Sequence, residues 1–112
     1  MRMNTAATAE FRTAASPGSY SGRRSLHSVT FFCDAPSARS VAVIGNFNQW
    51  NSNAHPMTRM LDGQWVIRLD LPHGHYRYLF LVDGQPRLDP RAHGTVREAN
   101  EWLDAASLLE VS

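Results

Sequence analysis

Tyr76-Arg77-Tyr78-Leu79-Phe80-Leu81-Val82-Asp83-Gly84 is the stretch whose reading decides the fold. Successive strand side chains alternate, so Tyr76, Tyr78, Phe80 and Val82 share one face while Arg77, Leu79 and Leu81 share the other. Asp83-Gly84 follows at once and predicts a tight hairpin turn, because two-residue loops need positive φ and glycine accepts it. Upstream, Trp65, Ile67, Leu69 and Leu71 alternate with Val66, Arg68 and Asp70, which predicts a second strand with Trp65 in the core. Residues 26–33 are rich in β-branched and aromatic side chains and stop at Asp34-Ala35-Pro36. Residues 40–45 form another short strand, opening into a polar loop over 46–55. Residues 56–60 are a short extended piece closed by Leu61-Asp62-Gly63, and residues 107–111 are a closing strand. Residues 97–106 read either as a short helix, with Trp102, Ala106 and Leu109 near one stripe, or as a long loop. About seven short strands with turn signals between them predict an all-β sandwich.

The rest of the sequence limits what such a sandwich can do. With 112 residues the chain has room for one domain, far short of the roughly 250 residues of a (β/α)₈ barrel. Eleven basic residues, all arginine, against ten acidic ones give a net charge of +1. That balance points away from nucleic acid and from a membrane surface. Apolar runs fall short of the roughly 20 residues that cross a bilayer. Residues 1–25 are dominated by Ala, Ser, Thr, Gly and Arg, with Phe11 and Tyr20 their only aromatics. A disordered tail is the reading of this segment, with the domain proper over 26–112. Its arginines superficially suit a transit peptide, but it lacks the apolar region of a secretory signal, and a cytoplasmic location is expected.

Catalytic chemistry has little support. The lone Cys33 cannot form an internal disulfide and reads as a small buried hydrophobe. His27, His55, His73, His75 and His93 lack the i, i+4 spacing of a helical zinc site, and His73-Gly74-His75 reads better as a turn with solvated imidazoles than as a metal site. Asp83 and Asp89 precede Gly84 and Pro90 and are explained as turn residues. No enzyme activity, cofactor or metal is expected.

Three pieces stand in an order that carries a family resemblance: Gly45-Asn46-Phe47-Asn48-Gln49-Trp50, Leu71-Pro72-His73-Gly74-His75-Tyr76-Arg77-Tyr78, and Val82-Asp83-Gly84-Gln85 followed by Asp89-Pro90. From about Ser28 to Val111 the chain resembles carbohydrate-binding module family 48. This group includes the glycogen-binding module of the AMP-activated protein kinase β subunit and the early-set (isoamylase N-terminal-like) domains of branching and debranching enzymes. The resemblance implies an immunoglobulin-like sandwich that binds α-1,4-glucan, in company with a catalytic or kinase-like protein or with a second copy of itself.

Carried over residue by residue, Trp50 matches the tryptophan that stacks on a glucose ring. An indole covering the C–H face of a pyranose removes apolar area of both from water. Asn46, Asn48 and Asn51 stand near it with amides suited to sugar hydroxyls. The residues themselves also allow the loop to fold Trp50 back as a lid; the resemblance favours binding. Leu79 stands where the family has a sugar-binding lysine, and Pro86 where it has a second stacking tryptophan. Arg77, on the same strand face as Leu79, is the candidate replacement cation. Thr95 matches the family's loop threonine, while aligning backward from the last strand brings Trp102 towards the site. If one platform hides about 100 Å² of apolar surface it contributes roughly 2.5 kcal/mol before entropy costs, which implies affinity only around millimolar.

A second reading comes from Leu79 and Leu81, joined by Pro86. Two leucines flanked by Arg77, on a face where polar side chains are expected, suggest an apolar surface for protein interaction or dimerisation, unless the N-terminal segment or residues 97–106 cover them. The sequence reading is thus a glucan-binding module with Trp50, Asn48, Arg77, Thr95 and Trp102 as site residues. An interaction domain built on Leu79, Leu81 and Pro86 is the alternative.

Overall fold

The structure is a computed structural model and describes residues 25–112. The expected 1–25 tail therefore lies, Ser25 apart, outside the described residues. Eight strands follow in order: β1 Leu26–Asp34, β2 Val41–Gly45, β3 Thr58–Arg59, β4 Gln64–Pro72, β5 Gly74–Val82, β6 Gln85–Arg87, β7 Gly94–Val96 and β8 Ala106–Val111. They form two antiparallel sheets, β1-β4-β3 and β2-β5-β8-β7, with β6 paired to β5. This is the all-β sandwich that the alternation predicts. Six of the eight strands correspond to the runs read from the sequence; β6 and β7 do not, because at three residues each they are too short to show a period.

Strand β5 organises the larger sheet. One of its edges pairs with β2 from Tyr78 to Val82; the other takes β8 from Gly74 to Tyr78 and β6 from Phe80 to Val82. The β5–β6 turn has φ of 51° at Asp83 and 82° at Gly84, the two positive values that a type I′ hairpin requires. Asp83 Oδ1 also accepts the backbone N–H groups of Arg39 at 2.8 Å and Ser40 at 2.9 Å, tying the hairpin to the start of β2.

Between the sheets, one β5 face meets β1 and β4. Phe31 packs edge-on against Tyr78 with centroids 5.1 Å apart, and Tyr78 packs in turn on Phe80. Trp65 is buried opposite Cys33, and its indole N–H donates to the Ala35 carbonyl at 2.8 Å. Tyr78 donates its hydroxyl to the buried Asp89, whose backbone N–H donates to Ser107 Oγ. Asp89 also accepts the Arg91 N–H, the turn role expected of it.

The other β5 face carries a second apolar cluster. Ile44, Leu79 and Leu81 are buried there under Ala42, Trp50, Leu88, Trp102 and Leu103. Leu79 is 0% exposed and Leu81 5%, so the reading of these leucines as an interaction surface is corrected: they are core. Pro86, opposite Leu81 in the β5–β6 pairing, is half-buried. The physical reason is hydrophobic. Two leucines left in water forgo about 1.5–3 kcal/mol each, and the segment between β7 and β8 folds back to cover them. That segment is a loop rather than a helix. Asn100 shapes it, its Oδ1 accepting the N–H groups of Trp102 and Leu103 and its Nδ2 donating to the Ala105 carbonyl. Among the described residues no helix is long and apolar enough to cross a membrane.

Candidate functional site

The loop leaving β2 is a tightly hydrogen-bonded turn. The Gly45 carbonyl accepts the N–H groups of both Asn48, at 3.1 Å, and Trp50, at 2.9 Å. Gly45 has no room for a side chain, because a Cβ there would sit 2.5 Å from the Arg77 carbonyl oxygen and 2.6 Å from Phe47 Cε2. Gln49 and Trp50 adopt φ of 57° and 56°, two successive non-glycine residues in the left-handed region. This local geometry turns the Trp50 indole back over β2 and β5, where it is half-buried against Ile44, Leu79 and Leu81.

Beside Trp50 lies a groove of about 310 Å³, lined by Asn46, Trp50, Arg77, Glu98, Ala99, Asn100 and Ala106. Three chain segments meet there: the β2 exit loop, the middle of β5, and the β7–β8 segment. Asn46 Oδ1 accepts the Arg77 backbone N–H at 3.1 Å, which joins the first two. The Arg77 guanidinium is paired through Nε with Glu98, and both side chains remain partly open to solvent, at 35% and 52% exposure. Trp102 joins the third segment by donating its indole N–H to the Trp50 carbonyl at 3.2 Å. The groove thus offers an indole, a guanidinium, a carboxylate and two amides around a shallow, solvent-open space.

Of the sequence-predicted site residues, Trp50 and Arg77 line the groove, while Trp102 lies outside its lining, packed on the Leu79 cluster and bonded to the Trp50 carbonyl. Asn48 does not, and its assignment as a sugar ligand is corrected. It is 6% exposed. Its Oδ1 accepts the Gly45 N–H, and its amide hydrogens face the Val43 carbonyl and His55 Nδ1, at 3.2 and 2.9 Å. Asn48 therefore builds the loop from inside. Thr95 is also outside the groove. It opposes Ser107 on β8, whereas Arg77 opposes Leu108, so alternation turns Thr95 to the other face of the sheet, at its free edge. Glu98 and Asn100 are the groove residues that sequence reasoning missed. Asn100 had a weak signal, an Asx-type residue two positions before Trp102 in an ambiguous loop; Glu98 had none.

A larger groove, of about 720 Å³, runs along the opposite side between β1 and β8, past His27, Arg91, His93 and Glu110. Size alone does not make it a sugar site. Its Phe31 and Tyr78 rings are buried in the core, and it has no tryptophan. Among the described residues no group of three or more His, Cys, Asp or Glu side chains is placed to hold a metal ion.

Comparison with known proteins identifies what this arrangement is similar to. The family described as the glycogen recognition site of AMP-activated protein kinase matches residues 29–110. Among curated proteins, the 1,4-alpha-glucan branching enzyme of Deinococcus radiodurans is 37% identical over 100 residues, covering 74% of this chain and 14% of that enzyme. The branching enzyme of Lactobacillus acidophilus is 40% identical over 68 residues, covering 56% of this chain and 10% of the enzyme. That of Photobacterium profundum is 46% identical over 46 residues, covering 41% and 6%. The chain spans a small part of the length of these relatives.

Proposed function

This chain belongs to the family of the glycogen recognition site of AMP-activated protein kinase, and from that premise we propose that it is a non-catalytic α-1,4-glucan-binding module with Trp50 as its stacking platform. The observation that carries the reading is the half-buried Trp50 indole at the wall of a groove shared with Arg77, Asn46, Glu98 and Asn100. A glucose ring stacks on the indole through its C–H face. The Arg77 guanidinium donates to hydroxyl oxygens, and the Glu98 carboxylate accepts from hydroxyl hydrogens. The Arg77–Glu98 pair supplies both kinds of partner side by side, in place of the lysine that Leu79 displaces.

Affinity follows from the size of the platform. Stacking that hides about 100 Å² contributes roughly 2.5 kcal/mol, and exchangeable surface hydrogen bonds add little net. Binding of a single chain is therefore around millimolar, and useful retention on a polymer comes from several copies or from a partner domain. The partner in this reading is a catalytic or kinase-like chain to which the module brings glucan. The setting is cytoplasmic, which suits a free, buried Cys33 thiol.

The test is a titration of the full chain with maltoheptaose, followed by residue-resolved amide shifts. Shifts confined to 46–51, Arg77 and 98–102 support the reading. Silence there at tens of millimolar sugar overturns it.

A further inference from the structure

Two successive left-handed residues at Gln49 and Trp50 need a cause, because that region is strained for residues other than glycine. The holding group is Asn48. Its Oδ1 takes the Gly45 N–H at 3.0 Å, which leaves Nδ2 directed at the Val43 carbonyl and at His55 Nδ1. Both partners of Nδ2 must accept. The His55 ring is therefore bound with Nδ1 unprotonated and its proton on Nε2. The His55 carbonyl accepts the Val43 N–H at 3.1 Å, and its ring packs 6.2 Å from the Phe47 ring, so the histidine is fixed from both backbone and side chain.

We infer that His55 is a positioning residue for the Trp50 platform, acting through Asn48, and that the platform holds its shape only while the imidazole is neutral. The inference rests on the glucan-binding reading for its functional consequence, though not for the loop chemistry itself. Protonation of Nδ1 sets two donors face to face, displaces the Asn48 amide, and frees the strained peptide that aims Trp50. The loop and β2 segments packed on the ring, through Phe47, Asn48 and Val43, have no ionisable side chain. The next titratable group is Tyr76 of β5, reached through Phe47; Arg77 meets this loop through its backbone N–H. Burial lowers the His55 pKa from its usual 6.5, so the ring is neutral at physiological pH. The platform is accordingly held at neutral pH and released as pH falls through that lowered value.

The experiment uses the full chain without sugar first. Lowering the pH from about 8 to about 5, the His55 ring proton and the amides of residues 46–51 should titrate with one midpoint while β5 amides other than that of Arg77, which bonds Asn46, stay in place. Maltoheptaose binding should then be roughly fivefold or more weaker at the acid end, a drop of about 1 kcal/mol. His55→Gln offers an acceptor oxygen that does not titrate, and should bind with a flat pH profile. The inference is overturned if the loop amides ignore the His55 titration, or if His55→Gln loses affinity with acid as the parent does. A parent that binds no maltoheptaose at any pH sinks the glucan reading, while the sugar-free titration still decides the loop chemistry. The same titration decides it if His55→Gln does not fold.

Discussion

Trp102 donates its indole N–H to the main-chain carbonyl of Trp50 across 52 positions of sequence. The two tryptophans are therefore one unit: one indole holds the backbone from which the other projects, and both cover the Ile44–Leu79–Leu81 cluster. Trp50→Ala should remove most glucan binding and cost about 1–2 kcal/mol of stability, more than an open-loop tryptophan and less than a core one. Trp102→Ala should cost a similar amount and also weaken binding. In a double-mutant cycle on melting temperature and glycogen retention, the two changes should be non-additive.

Trp65 is the contrasting case. It is buried between the sheets and donates to the Ala35 carbonyl. Trp65→Ala should destabilise the domain by roughly 3–5 kcal/mol, measured by denaturant unfolding, and any change in sugar binding should track the unfolded fraction.

The Arg77–Glu98 pair predicts a split between stability and binding. Both side chains are partly exposed, so breaking the pair should move stability by well under about 1 kcal/mol. Glu98→Ala and Arg77→Ala should nevertheless each weaken maltoheptaose binding severalfold, because each removes one kind of sugar partner. Affinity unchanged in both variants would remove the pair from the site.

Alkaline pH should expose the inner core. Burial, reinforced by the hydrogen bond to Asp89, pushes the Tyr78 pKa up from 10.0, and burial pushes the Cys33 thiol up from 9.0. Both folded-state values exceed the unfolded ones. The stability these groups contribute is whole below the unfolded values of 9.0 for Cys33 and 10.0 for Tyr78, and is lost progressively as pH rises above them towards the raised folded-state values. Tyr78→Phe should flatten the upper part of that decline in a pH series of melting temperatures. Its cost near neutrality is about 1–3 kcal/mol, since Asp89 loses a buried donor. Native Cys33 should resist thiol reagents until the domain unfolds.

Gly45 predicts a steric outcome. Gly45→Ala drives a methyl to 2.5 Å from the Arg77 carbonyl oxygen and 2.6 Å from the Phe47 ring, so something must shift. The expected loss is about 1–3 kcal/mol together with glucan binding, read by unfolding and retention on a glycogen gel.

The sandwich was legible in the sequence because a period of two is a local property. Once Tyr76, Tyr78, Phe80 and Val82 alternate against Arg77, Leu79 and Leu81, the strand, its two faces and the Asp83-Gly84 turn follow without reference to any other segment. Trp65 and Asp89 were legible for the same reason: one sits in an alternating run, the other before a proline. The family motifs also placed Trp50 in its loop, since an indole among asparagines stands out locally.

What faces what was left to the tertiary structure. Leu79 and Leu81 lie on a strand face that local pattern cannot label as core or surface, and the folding of Trp50, Leu88, Trp102 and Leu103 over it made it core. Asn48 and Asn46 look alike in sequence. One is buried because its amide closes a network with Gly45, Val43 and His55, the other exposed because it reaches across to β5. Thr95 was separated from Arg77 by a register offset of a single residue between β7, β8 and β5, which reverses a side chain's face. Alternation along one strand is set by backbone geometry. Burial, pairing and the meeting of Trp50, Arg77 and Glu98 around one groove depend on segments brought together only when apolar surface leaves water.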